Sequence, residues 1–380
     1  MSSLPARRAK YLAPVAVLGV IALAAWAPTL SASPAPNLPA LSAQQLLADV
    51  EAAQVPQLSG TLTWAANLGI SGLSSLEQAG GQGGGSSFDP LSLLSGNYNL
   101  DVWLDGAKAE HIALAEEQPA IEVDLVRNGN EAWLWDSANQ TVLELVGQPG
   151  SGAGTGVTTT TEPLLTPQQL ASRLLEHLSP TTKVAVGEPL YVAGQPAYPL
   201  VLSPNDPAGS TVDRVEVDVG ATGSLLGVPL GVAVWAVGQT AGPALSLAFT
   251  GALSLGAPPA SELTFVPPPG AKVITRTLGP GSGGWASPST AQPGSGQVGT
   301  SSGLTKIGSG WTTVVSGRTG QLGTTVQATL DEVTTVVTVG GQQGRLFSTY
   351  LLNVLFMPTG RFYAGFVTPA VLEAAASSAA

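Results

Sequence analysis

The stretch Leu58-Ser59-Gly60-Thr61-Leu62-Thr63-Trp64-Ala65-Ala66-Asn67 decides how the chain is read. Leu58, Gly60, Leu62, Trp64 and Ala66 alternate with Ser59, Thr61, Thr63, Ala65 and Asn67. Successive side chains of a strand point to opposite faces, so a period of two marks a strand with one face buried and one in water, the antiparallel habit. The period recurs in both directions from this stretch. Tyr98, Leu100, Val102 and Leu104 alternate with Asn99, Asp101, Trp103 and Asp105. Ile121, Val123 and Leu125 alternate with Glu122 and Asp124, and Val215, Val217 and Val219 with Arg214, Glu216 and Asp218. Runs at residues 131–136, 141–146, 198–203, 230–237 and 245–250 extend the sheet. The run 230–237 has no polar residue on either face, which predicts cover on both sides.

Two short helices accompany these strands. Ser42-Ala43-Gln44-Gln45 and Thr166-Pro167-Gln168-Gln169 both fit a capping box, a hydroxyl N-cap with Gln three residues on. Pro167 suits the first helical position, where its missing N–H has no intrahelical partner to lose. Apolar residues follow at helical spacing, Leu46, Leu47, Val50 and Ala53 in the first and Leu170, Leu174, Leu175 and Leu178 in the second. Pro56 and Pro180 stand near their ends. The fold class read from this pattern is α+β: a large curved antiparallel sheet with two short helices, and a small C-terminal α+β segment.

Composition excludes several functions. The chain has 380 residues and a formal net charge of −11, without the basic face that nucleic acid requires. No cysteine is present, which rules out disulfides, thiolate metal sites, a cysteine nucleophile and a lipid-modified N-terminal cysteine. The 47 glycines and 30 prolines predict long loops within a folded protein rather than a disordered chain, because 44% of the residues are hydrophobic.

The N-terminus reads as an export segment. Arg7, Arg8 and Lys10 precede an apolar run, and no charge falls between Lys10 and Asp49. Residues 11–32 are long enough to cross about 30 Å of hydrocarbon. Residues 1–32 are therefore either a cleaved signal or a retained membrane anchor, and both place the rest outside the cytoplasm. Residues 33–278 read as the main domain, residues 279–303 as a charge-free Gly/Ser/Pro linker, and residues 304–380 as a small C-terminal domain. In the last, residues 311–316 read as strand, residues 345–357 and 361–367 as a hairpin turned at Pro358-Thr359-Gly360, and residues 370–376 as a helix after Thr368-Pro369. Residues 324–339 suit helix or strand.

Catalytic chemistry is not indicated. The two histidines, His111 and His177, lie in no metal or proton-relay motif, and His177 near a helix C-terminus suits the helix dipole. Gly299-Thr300-Ser301-Ser302-Gly303 has the letters of a nucleophile elbow but no preceding strand to strain the turn. The glycine-rich stretches lack the lysine and helix of a phosphate loop. No catalytic residue, metal site or cofactor is expected, and the chain reads as a non-enzyme. The aromatic residues Trp64, Trp103, Trp133 and Trp135 remain. Trp103 shares its face with Asn99, Asp101 and Asp105, which predicts a cross-strand partner, a rim position or a covering helix.

The order of these elements resembles the LolA-like envelope proteins that bind lipoprotein acyl chains or other lipids, together with the RseB-like envelope-stress regulators, in an actinobacterial form. The residues that carry the resemblance run from Leu41-Ser42-Ala43-Gln44-Gln45-Leu46-Leu47 through Val55-Pro56-Gln57-Leu58-Ser59-Gly60-Thr61-Leu62. They continue with Arg127-Asn128-Gly129-Asn130-Glu131-Ala132-Trp133-Leu134-Trp135, the stretch 192–204, Asp218-Val219-Gly220-Ala221-Thr222-Gly223 and Phe265-Val266-Pro267-Pro268-Pro269-Gly270. The resemblance implies a half-open antiparallel barrel lidded by short helices, with an apolar cavity for lipid. Lipoprotein carriers of the family have an arginine on an early strand, and residues 58–67 contain none.

The expected function is extracytoplasmic, periplasmic or membrane-associated binding of a lipid or lipoprotein acyl chain, for envelope lipid and lipoprotein trafficking. Candidate cavity residues are Leu46, Val50, Trp64, Leu100, Val102, Trp133, Trp135, Leu170 and Leu174. The alternative is an RseB-like regulator whose partner is a membrane-bound envelope protein, an anti-sigma factor.

Overall fold

A computed structural model describes residues 35–70, 95–117, 120–147, 181–278, 304–318 and 333–378. The export segment, the second helix with Leu170, Leu174 and His177, the linker and residues 324–332 lie outside the described residues. The described residues from Pro36 onward belong to one compact unit.

Among the described residues the first helix, α1 (Ala43–Ala52), precedes a run of strands. These are β1 (Gln57–Asn67), β2 (Ser95–Asp105), β3 (Ala109–Glu117), β4 (Ala120–Asn128), β5 (Glu131–Asp136), β6 (Thr141–Gly147), β7 (Thr182–Val186), β8 (Leu190–Val192), β9 (Gln195–Pro204), β10 (Val212–Gly220), β11 (Pro229–Ala236), β12 (Leu245–Phe249), β13 (Ser254–Leu255) and β14 (Lys272–Leu278). They form one sheet in the order β14-β6-β5-β4-β3-β2-β1-β12-β11-β10-β9-β7, with β13 beside β1 and β8 beside β9. Pairing is antiparallel throughout except between β14 and β6.

The capping box at Ser42 is present in full. The Gln45 N–H donates to Ser42 Oγ at 3.3 Å, and the Ser42 N–H donates to Gln45 Oε1 at 3.1 Å. Strand alternation decides which side chains enter the core. Register aligns Leu62 with Leu100, Leu100 with Leu114 and Leu114 with Val123. In the other direction it aligns Leu62 with Phe249, Trp64 with Leu247, Leu247 with Val232 and Val232 with Val217. All these side chains therefore stand on one face. Strands far apart in the order meet across it: Val192, Leu225, Val228 and Leu230 pack with Leu58, Leu62, Leu100, Val102 and Ile112. The sheet thus curls around its apolar face, which is the inner, concave one.

The apolar run read at residues 230–237 becomes β11. Leu230, Gly231 and Val232 are buried, and on the outer face the Trp235 ring is covered by the Arg214 guanidinium, 4.1 Å from its centroid. Val237 lies beyond the strand and is exposed.

The second sheet holds β15 (Thr305–Ile307), β16 (Val314–Arg318), β17 (Thr335–Val339), β18 (Gln342–Ser348), β19 (Asn353–Phe356) and β20 (Arg361–Gly365), in the order β15-β16-β20-β19-β18-β17. Helix α2 (Pro369–Ser378) covers one face through Leu372, Ala375 and Ala376. Two sequence readings are corrected here. Residues 345–357 are two strands, because the Thr349 hydroxyl accepts the N–H groups of Leu351 and Leu352 and turns the chain between β18 and β19. Trp311 belongs to a 3-10 turn, Gly310–Thr312, and only the residues from Val314 onward pair as strand. The turn at Pro358-Thr359-Gly360 stands as read, between β19 and β20.

The two sheets are joined by direct backbone pairing. Ser210 bridges Val367, the Thr211 N–H donates to Phe366 O at 3.1 Å, and the Tyr350 N–H donates to Leu68 O at 2.8 Å. The Tyr350 ring lies against Gly69, whose φ is +65°; a Cβ there would come within 2.5 Å of the ring. Leu351, 1% exposed, enters the apolar cluster of the main sheet.

Candidate functional site

The inner face of the main sheet carries two apolar clusters. One lies under α1 and contains Leu46, Tyr198, Leu200, Val215, Val217 and Val232, with Leu47 and Val50 half-buried beside them. The other contains Leu58, Leu62, Leu100, Val102, Leu125 and Phe249, with Trp64 and Tyr98 packed against it. Helix α1 is seated at two points. Leu46 is its one buried residue. At its C-terminal end it meets Gly227, where a Cβ would fall 2.1 Å from Asp49 O and 3.1 Å from Ala53 Cβ; φ there is +76°. The Tyr198 hydroxyl donates to Pro39 O at 2.6 Å and ties down the segment ahead of α1.

The sequence-derived residues divide between the faces. Leu46, Val50, Trp64, Leu100 and Val102 stand on or over the inner face. Trp133 and Trp135 do not share it. Register places Leu134 opposite Leu125 on the inner face, so Trp133, opposite Val126, and Trp135, opposite Asp124, stand on the outer one. Leu170 and Leu174 lie outside the described residues.

That outer face is built differently. Trp103 stacks on the cross-strand His111 ring with centroids 4.7 Å apart, so of the options read from sequence a cross-strand partner is the one realised. His111 Nε2 is 3.6 Å from Asp124 Oδ1, and neither His111 nitrogen has a hydrogen-bond partner. Residues 256–271 cross this face as a strap. Leu263 is buried, its carbonyl accepts from Asn128 Nδ2 at 3.2 Å, and Phe265 stacks on Trp133 at 6.3 Å. Sequence reasoning missed this strap because it has no periodic pattern, although its run of prolines was visible.

Two ionisable features complete the geometry. At one end of the inner face Glu110 and Arg127 form a largely buried pair at 3.2 Å, and Arg127 Nη1 donates to Ala107 O at 3.2 Å. On the outer face Asp218 lies beside Gly231 with its Oδ1 buried and unpartnered. Desolvation by burial, helped by the Glu216 charge, pushes its carboxyl up to about 6. No group of three or more His, Asp or Glu able to hold a metal occurs among the described residues. No helix of the described residues is long and apolar enough to cross a membrane.

These features define a half-open antiparallel sheet with an apolar, helix-covered inner face. No family model matches the chain, and no curated protein does. Among solved structures it is similar to the MucA/MucB complex of Pseudomonas aeruginosa, with 13% identity over 87% of this chain and 96% of that chain and a TM-score of 0.39. It is similar to an uncharacterized conserved protein of Thermus thermophilus, with 10% identity over 62% of this chain and 99% of that chain and a TM-score of 0.33. It is also similar to a LolA superfamily protein of Nitrosomonas europaea, with 12% identity over 60% of this chain and 99% of that chain and a TM-score of 0.24. These are distant likenesses at low TM-score, and the fold class stands on the strand order and register described above.

Proposed function

We propose that the chain is a non-catalytic, extracytoplasmic protein that holds a lipid or lipoprotein acyl chain on the inner face of its main sheet, for envelope lipid or lipoprotein trafficking. The observation that carries this reading is the unbroken apolar row from Val217 through Val232, Leu247, Trp64 and Leu62 to Leu100 and Leu114, whose end at Val217 and Val232 is covered by a helix with one buried side chain. Lifting that helix bares the part of the row around Val217 and Val232, and an acyl chain reaches Leu62, Leu100 and Val102 when Val192, Leu225, Val228 and Leu230 part from them as well. Burial of an acyl chain there gains about 25 cal/mol per Å² of apolar surface. The lining comprises Leu46, Val50, Trp64, Leu100 and Val102, with Leu170 and Leu174 proposed from sequence for the remaining cover. Export by residues 1–32, as cleaved signal or retained anchor, belongs to the same proposal. Uptake of a fluorescent acyl probe tests it. Probe fluorescence that saturates at one equivalent and falls with free fatty acid supports the reading; no uptake at any concentration defeats it.

A second reading is a regulator that contacts a membrane-bound envelope protein, an anti-sigma factor. The close packing of the inner face favours it: Leu100, Val102 and Leu62 are buried by the protein's own Val192, Leu225, Val228 and Leu230. Pull-down of a single-span envelope protein by a chain free of lipid discriminates for this reading.

A further inference from the structure

A sheet edge presents unpaired backbone groups that a second chain can extend, so folded proteins guard their edges. Among the described residues, two edges of this protein follow that rule. β7 is short, is flanked by α1, and has Trp311 Nε1 donating to Thr182 Oγ1 at 2.9 Å; β15 has three residues. The other two, β17 with five residues and β14, are open, and β14 is the longer. It has seven residues, pairs with β6 without a register shift, and leaves Val273 and Ile274 46% and 37% exposed.

The direction of its free groups follows from one bond. The Lys272 N–H donates to Gln140 O at 2.8 Å, which turns the Lys272 peptide toward β6. Peptide direction alternates along a strand, so Ile274 and Arg276 also face β6, while Val273, Thr275 and Thr277 point their N–H and C=O groups away from the sheet. Side chains alternate as well. Lys272, Ile274 and Arg276 share one face, and Thr275 on the other donates to Glu144 Oε2 at 2.7 Å.

Charge selects the occupant. Residues 33–278 carry 22 acidic and 7 basic side chains, yet neither Lys272 nor Arg276 meets a carboxylate among the described residues. Pairing with a second copy of this edge would gather two lysines and two arginines on one face of the seam, and like charges across a seam are destabilising. An incoming strand with carboxylates at alternate positions would meet both cations and place its apolar residues against the face carrying Val273. We propose that the free edge of β14 takes an extended, acidic segment of a partner protein as an added strand.

The test is calorimetric titration of the full chain with a short synthetic peptide alternating glutamate and valine, its lysine-for-glutamate counterpart, and its backbone N-methylated form. Proline is tolerated on an edge strand where its nitrogen faces solvent, so Thr275→Pro removes an outward donor and leaves the β6 pairing intact. The acidic peptide binds, the other two do not, and Thr275→Pro weakens binding roughly tenfold while Thr275→Val leaves it unchanged. The double reversal Lys272→Glu with Arg276→Glu also weakens it roughly tenfold, by replacing two cross-strand attractions with repulsions. Should Thr275→Pro fail to fold by circular dichroism, the charge reversal decides. Absence of binding, equal binding of the N-methylated peptide, or affinity unchanged in the charge reversal overturns the proposal. So does a wild-type dimer in sedimentation that Thr275→Pro splits, since the occupant is then a second copy.

Discussion

The Trp103 ring lies on the His111 imidazole at 4.7 Å and an angle of 23°, with both imidazole nitrogens buried and without hydrogen-bond partners. The histidine thus serves the outer face as a flat aromatic surface, and its polar atoms are a cost. Replacing both members of a buried polar pair by apolar groups of similar shape is neutral or stabilising, whereas removing one leaves the other uncompensated. Because Asp124 Oδ1 lies 3.6 Å from the imidazole, the double change His111→Phe with Asp124→Leu is expected to unfold in urea at the wild-type midpoint or above it, and His111→Phe alone slightly below it. His111→Ala, which removes the stack, is expected to lose about 1–2 kcal/mol.

Asp218 sets a pH dependence of opposite sign to an ordinary salt-bridged carboxylate. Its folded pKa of about 6 lies above the usual 3.8, so the folded protein binds the proton more tightly than the unfolded chain. The stabilisation from holding that proton is complete below about pH 4 and is lost as pH rises through 6, a change of about 3 kcal/mol. Asp218→Asn carries no charge to bury. Its stability should exceed that of wild type above about pH 7 and converge with it near pH 4, measured by denaturant titration at each pH.

Gly227 fixes how closely the turn after β10 approaches α1. A Cβ there meets Asp49 O at 2.1 Å, and the positive φ disfavours any L side chain. Gly227→Ala is expected to push the last turn of α1 off the sheet while leaving strand content unchanged. Amide exchange of residues 46–53 should accelerate far more than that of β1 or β10.

Leu351 couples the two sheets by inserting from the β18–β19 turn into the cluster with Val215 and Ala236. Leu351→Ala leaves a cavity in a fully buried site and should cost about 2–5 kcal/mol. Because Tyr350 and Thr211 hydrogen-bond across the same joint, the loss should appear in a single cooperative transition. A separate early melt of the second sheet would contradict this.

Local signals were legible in the sequence. The capping box at Ser42 and Gln45 needs only four residues, and β1, β2 and β10 announce themselves by alternation that burial then enforces. Long-range relations were not. β14 pairs parallel to β6, far earlier in the chain, and Lys272–Leu278 contains no alternation to show it. The face of Trp133 and Trp135 was hidden for a related reason. β5 carries large apolar side chains on both faces, Leu134 on one and Trp133 and Trp135 on the other, where Phe265 of the aperiodic strap stacks on Trp133, so hydrophobicity could not say which side was inner. The break between β18 and β19 escaped notice because a threonine hydroxyl, not glycine or proline, makes the turn.

Native mass spectrometry of the full chain purified from envelope shows whether the inner face of the main sheet holds an acyl chain. One lipid adduct per chain is expected, retained in His111→Phe, on the outer face, and lost or reduced when Val102 and Leu46 on the inner side are replaced by polar residues. A chain that carries no lipid and takes up none from added acyl donors, while remaining folded, would contradict it.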